Sequence, residues 1–152
     1  MNRRHFFLVA GAAVPVWATD SGKDPWSDSQ LMEATALAKM LRAGKQPSII
    51  CVGFPVLYRQ KHIAHATLAG PASKPEGIAQ LKKAVTATPK DSEVVIYCGC
   101  CPMVQCPNLR PAFSLLSELG YDKIRVLNLP DNFHTDWAAK GYPVESSLPE
   151  KG

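Results

Sequence analysis

Two short runs, Ser48-Ile49-Ile50-Cys51-Val52 and Glu93-Val94-Val95-Ile96-Tyr97, are almost wholly apolar and rich in β-branched residues. A strand with one face in water alternates apolar and polar side chains. A run without that alternation, bounded in the first case by Pro47 and Gly53, reads as a strand covered on both faces. Such strands belong to parallel sheets, because parallel neighbours need crossover connections and the crossing helices supply the cover.

The rest of the chain supplies those helices. From Ser29 the spacing predicts a helix with Leu31, Ala34, Leu37, Ala38 and Leu41 on one face and Gly44 as its stop. A short helix over Pro55 to Lys61, a brief strand at Ala66-Thr67-Leu68 and a helix over Glu76 to Thr86 follow. Pro111 suits a first helical position, Ala112, Leu115, Leu116 and Leu119 form a stripe, and Gly120 ends it. Ile124 to Leu127 reads as another strand, and Asn132 to Lys140 as a last short helix. The fold class is therefore α/β, a mostly parallel central sheet with helices on both faces.

A chain of 152 residues, 46% hydrophobic and 20% charged, holds one core of this kind. Its net charge of +4 falls to +2 without Arg3 and Arg4, since 17 basic residues less two leave 15 against 13 acidic ones. No basic stripe alternates with aromatics, which argues against a nucleic-acid partner.

Arg3-Arg4, then Phe6-Phe7-Leu8, small apolar residues through Ala13 and Val14-Pro15-Val16-Trp17-Ala18, read as a twin-arginine-type signal peptide over residues 1–18, the general secretory route being the alternative. Its apolar run is shorter than the ~20 residues of a spanning helix. The expectation is an exported protein, periplasmic or secreted, with no membrane association after cleavage. Residues 19–28, containing Asp24-Pro25, suit a linker; 29–147 form the domain and 148–152 a tail.

Directly after the second apolar run comes Cys98-Gly99-Cys100-Cys101-Pro102-Met103-Val104-Gln105-Cys106-Pro107-Asn108-Leu109-Arg110-Pro111. In parallel sheets, sites form beyond the carboxyl ends of strands. A cysteine there, followed by a loop entering a helix N-terminus, is placed where N–H groups and the helix dipole favour an anion and a reactive thiolate.

With this loop the chain resembles the rhodanese (sulfurtransferase) superfamily. The resemblance runs from about Ser29 to Glu145. It rests on Ile49 to Val52, on His62-Ile63-Ala64-His65-Ala66, on Val94 to Cys98, on Leu115-Leu116-Ser117-Glu118-Leu119-Gly120-Tyr121, and on Trp137 with Gly141-Tyr142-Pro143-Val144. Cys-Gly-Cys-Cys-Pro, Cys-Pro-Asn and Arg-Pro-Ala-Phe look like an exported, cysteine-rich bacterial subgroup with an extended active loop. The resemblance implies a three-layer rhodanese-like sandwich. It also implies that Cys98 is a nucleophile carrying a sulfane sulfur as a persulfide, from a small anionic donor such as thiosulfate to a thiol or cyanide acceptor, with no cofactor required. Arg110 is the candidate holder of the donor's oxyanion, since a guanidinium fork suits a sulfonate.

Two departures from that family stand out. Cys98 to Arg110 spans twelve positions, longer than the usual loop, and no Cys-x5-Arg phosphatase signature is present. The family's Asp-x-Arg after the second strand is replaced by Cys51-Val52-Gly53.

Three roles stay open for Cys100, Cys101 and Cys106: a disulfide that stiffens the loop, a resolving thiol for Cys98 with a periplasmic redox partner, or ligands for a soft metal, Cu or Zn. The metal or redox roles define the alternative function, a non-catalytic binding module or thiol/disulfide switch. Cys51 reads as a core thiol, His62 and His65 as structural histidines, and Phe133, Trp137 and Tyr142 as core and lid aromatics. His134 and Asp136 lie within reach of the site without a stronger signal.

Overall fold

A computed structural model of the chain describes residues 24–149. The signal peptide expected at 1–18 and the first part of the linker lie outside the described residues. The strands are β1 (Leu31–Glu33), β2 (Ser48–Cys51), β3 (His62–Ile63), β4 (Thr67–Leu68), β5 (Glu93–Tyr97), β6 (Lys123–Asn128) and β7 (Val144–Glu145). The helices are α1 (Ala34–Arg42), α2 (Pro55–Gln60), α3 (Pro75–Ala84), α4 (Leu109–Glu118) and α5 (Phe133–Asp136).

The main sheet has the order β1-β6-β5-β2-β4, with every pairing parallel. β5 is central, paired to β2 through Ile50↔Ile96 and Cys51↔Tyr97 and to β6 through Val95↔Arg125. Its unbroken apolar run has a simple cause. Val94 and Ile96 enter one core with Leu81 of α3 and Leu116 of α4, while Val95 and Tyr97 enter the opposite core with Leu37 of α1 and Trp137. Three layers result, as expected.

The structure departs from the sequence reading in several places. The helix expected from Ser29 begins at Ala34; Leu31 to Glu33 instead form the edge strand β1 beside Val126 to Asn128 of β6. Three residues are less than one helical turn, so periodicity cannot separate the two states. β3 and β7, two residues each, form an antiparallel ribbon that no pattern announces. The last helix breaks at Trp137, which is fully buried and donates its indole N–H to the Pro143 carbonyl at 2.9 Å. α4 opens at Leu109, two residues before Pro111, whose missing N–H still falls among the first-turn amides that lack intrahelical partners.

The stretch Asp24 to Asp28, expected within a linker, packs on the domain. Trp26 is 7% exposed and meets Phe113 of α4 edge-on at 5.7 Å, and Asp24 pairs with Arg110 at 2.6 Å. Among the described residues no helix is long and apolar enough to cross a membrane. Replacing a buried aromatic with alanine removes its transfer energy and leaves a cavity, so Trp26→Ala should cost about 3 kcal/mol of unfolding free energy by urea titration; a linker residue would cost nothing measurable.

Candidate active site

Cys98 leaves the carboxyl end of β5 and lies on the floor of a cleft of about 430 Å³. Its walls include Leu57 and Tyr58 of α2, Tyr97, Gly99, Cys100 and Phe133, with Lys61 and His134 adding basic side chains. The residue itself is 6% exposed, and it also borders a smaller inner opening lined by Cys101, Met103 and Cys106. Two glycines shape the cleft. A Cβ on Gly53 would lie 2.8 Å from the Cys98 carbonyl oxygen and 3.1 Å from its sulfur, so the end of β2 approaches the thiol only as glycine. Gly99 has φ +76°, and its carbonyl accepts the Phe133 N–H at 3.0 Å, which brings α5 down over the turn.

Beyond the turn the chain passes through a 3₁₀ turn at Met103–Gln105 and returns at Cys106 beside the Cys98 sulfur. The key neighbour is Asn108, which is fully buried. Its Oδ1 accepts the Ser73 N–H at 2.9 Å, which fixes the amide so that Nδ2 donates to the Cys98 sulfur at 3.3 Å. No sequence pattern singles out Asn108; asparagine ahead of a helix is commonly a cap, but here the side chain makes no capping bond.

The sulfurs of Cys98, Cys100 and Cys106 lie within 4.8 Å of one another. Cys98 and Cys100 are 3.2 Å apart and Cys100 and Cys101 3.1 Å. Burial, then the contact with Cys101, pushes Cys100 up to about 12. Cys106 is pushed up first by its hydrogen bond to Cys98, then by burial and the Cys98 charge, and Cys101 is raised by burial. These three thiols keep their protons at neutral pH. Among the described residues all five cysteines are free.

Arg110 stands elsewhere. Its guanidinium donates to Asp24 at 2.6 Å, to the Val104 carbonyl at 3.1 Å and to the Cys106 carbonyl at 3.4 Å, and lies 5.8 Å from the Trp26 ring centre. It lines neither opening beside Cys98. The longer loop carries the arginine expected to hold an oxyanion past the thiol, and Asp24 pairs with it. Lys61 and His134 border the cleft as exposed basic residues without a sequence signal of their own.

His62 stacks on Tyr58 at 3.7 Å with Nδ1 2.7 Å from the Tyr58 carbonyl, and His65 lies 3.6 Å from Glu145. Asp136 is structural: its Oδ2 accepts the N–H groups of Asp131 and Asn132 at 2.7 and 2.9 Å. Phe133 lines the cleft, and Tyr142 packs edge-on against Trp137 at 5.1 Å.

No protein-family model and no curated protein matches the sequence. Solved structures do. A rhodanese-like domain from Anabaena sp. superposes with a TM-score of 0.56 at 22% identity, covering 81% of this chain and 86% of that one. The chain has the rhodanese-like fold. A Bacillus halodurans protein superposes on this rhodanese-like chain with a TM-score of 0.62 at 18% identity, covering 82% of each. A thiosulfate sulfurtransferase from Pseudomonas aeruginosa gives 0.56 at 18%, covering 77% of this chain and 20% of that longer one.

Cys51, 3% exposed in the rhodanese-like core, is pushed up to about 11, chiefly by burial. Below pH 9 both folded and unfolded states hold its proton; between 9 and about 11 only the folded state does, so stability is lost as pH rises through that window. Two pH units correspond to about 3 kcal/mol. Urea midpoints should fall from pH 9 to 11, and Cys51→Ala should show the shallower decline.

Proposed function

We propose that the protein is a sulfurtransferase that moves a sulfane sulfur from a small anionic donor to a thiol or cyanide acceptor through a Cys98 persulfide. The observation that carries this reading is the Cys98 sulfur on the cleft floor, with the Asn108 amide donating to it at 3.3 Å. In the first half-reaction the Cys98 thiolate attacks the outer sulfur of thiosulfate. The new bond is Cys98 S–S⁻, and sulfite departs with the electron pair of the broken S–S bond. In the second, an acceptor thiolate or cyanide takes the outer sulfur and returns the Cys98 thiolate. Asn108 stabilises negative charge on the sulfur in both, Lys61 attracts the anionic donor to the mouth, and Arg110 braces the loop through Asp24.

Transfer from thiosulfate to cyanide tests this, read as thiocyanate. Cys98→Ser should fall to background. Asn108→Ala removes a hydrogen bond to a charged sulfur, so kcat/KM should drop about 10- to 100-fold. Lys61→Gln should raise KM for thiosulfate about threefold with kcat nearly kept, as for a partly screened charge. Arg110→Gln should keep kcat/KM within about threefold while costing about 1–3 kcal/mol of stability; a loss of a hundredfold or more would restore the oxyanion role to Arg110.

A second reading is favoured by the three sulfurs of Cys98, Cys100 and Cys106 lying within 4.8 Å of one another. Thiolates so placed suit a soft ion, Cu(I) or Zn, and the protein would then be a binding module. Stoichiometric metal retained through dialysis, with no thiocyanate formed, would favour the module over the enzyme. We also propose export directed by residues 1–18, which fractionation and the mass of the mature N-terminus would check.

A further inference from the structure

We infer that Cys100 resolves the Cys98 persulfide within the same molecule, releasing sulfide and leaving a Cys98–Cys100 disulfide that an external dithiol must reduce. This rests on the persulfide chemistry proposed above and adds a second activity, the reductive splitting of the donor.

The geometry comes from the turn. In an extended strand, residues i and i+2 are about 6.6 Å apart on the same face. Gly99, at φ +76°, folds the chain back and brings the Cys98 and Cys100 sulfurs to 3.2 Å, within the ~3–3.5 Å of a near-attack arrangement. Both residues line the main cleft, so a departing sulfur has an exit and a reductant an approach. Cys100 is partly exposed, whereas Cys106 is 1% exposed and lines the inner opening instead. Cys101 contacts Cys100 at 3.1 Å and does not line the main cleft.

The step balances. After sulfite has left, Cys98 carries S–S⁻. The Cys100 sulfur bonds to the Cys98 Sγ, the Sγ–outer-sulfur bond breaks, and the outer sulfur leaves with that electron pair and the Cys100 thiol proton as HS⁻. The protein is then oxidised by two electrons. A dithiol supplies two electrons and two protons, restores both thiols and becomes a cyclic disulfide. The sum is thiosulfate plus dithiol giving sulfite, hydrogen sulfide and the oxidised dithiol.

A single turnover tests it. The fully reduced protein, freed of reductant, is mixed with thiosulfate. Sulfite and sulfide are measured, and the peptide containing Cys98 to Cys106 is weighed and fragmented. One sulfite and one sulfide per chain are expected, with loss of two hydrogens mapped between Cys98 and Cys100. Dithiothreitol should then permit a second sulfite burst of equal size. Cys100→Ser should still release sulfite, yield at least tenfold less sulfide and retain one added sulfur on Cys98. Sulfite with a lasting persulfide in the unaltered protein, or a disulfide mapped to Cys106, would overturn the inference and leave the transferase reading intact. No sulfite at all would overturn both.

Discussion

The site depends on one constraint, the burial of β5 on both faces. Its ladder to β2 on one side and β6 on the other satisfies the backbone, and its side chains fill two separate cores. Neither register nor orientation can slip, because a shift of one residue would exchange every side chain between the two cores. Cys98 therefore emerges at a fixed height beyond the sheet, the place where an open α/β fold leaves a crevice.

What the loop adds is polarity around a sulfur, assembled without a nearby guanidinium. Asn108 is held from behind by the Ser73 amide and so reaches the thiol with its donor end forward. The neighbouring thiols stay neutral, held up by burial and by one another. The cluster thus avoids the repulsion that several adjacent thiolates would create in a poorly solvated pocket. Gly53 and Gly99 keep the approaches narrow enough for these short-range contacts to act.

Those parts of the fold governed by long apolar patterns were legible in the sequence: β2, β5, β6 and the stripe of α4 all lie where periodicity puts them. Of the elements shorter than a period, β4 was legible beside its Gly70-Pro71 breaker, but β3 and β7 were not, and β1 reads as the start of a helix for want of a full turn. At the site, Cys98 could be placed from its position after β5. Arg110 and Asn108 show the limit of such reading. Both stand near the start of α4, but which one faces the sulfur is decided by contacts with Asp24 and Ser73, far away in sequence. Trp26 was missed similarly, since a lone aromatic in a polar stretch has no periodicity to betray its burial.

The clasp between Asp24 and Arg110 ties the first described residue of the chain to the segment that carries the thiols. Through that one carboxylate, the segment just ahead of Trp26 becomes part of the scaffolding around the Cys98 loop. A protein trimmed or tagged close to this point would alter more than a dispensable tail, and two preparations differing only there would not be equivalent reagents for studying the loop.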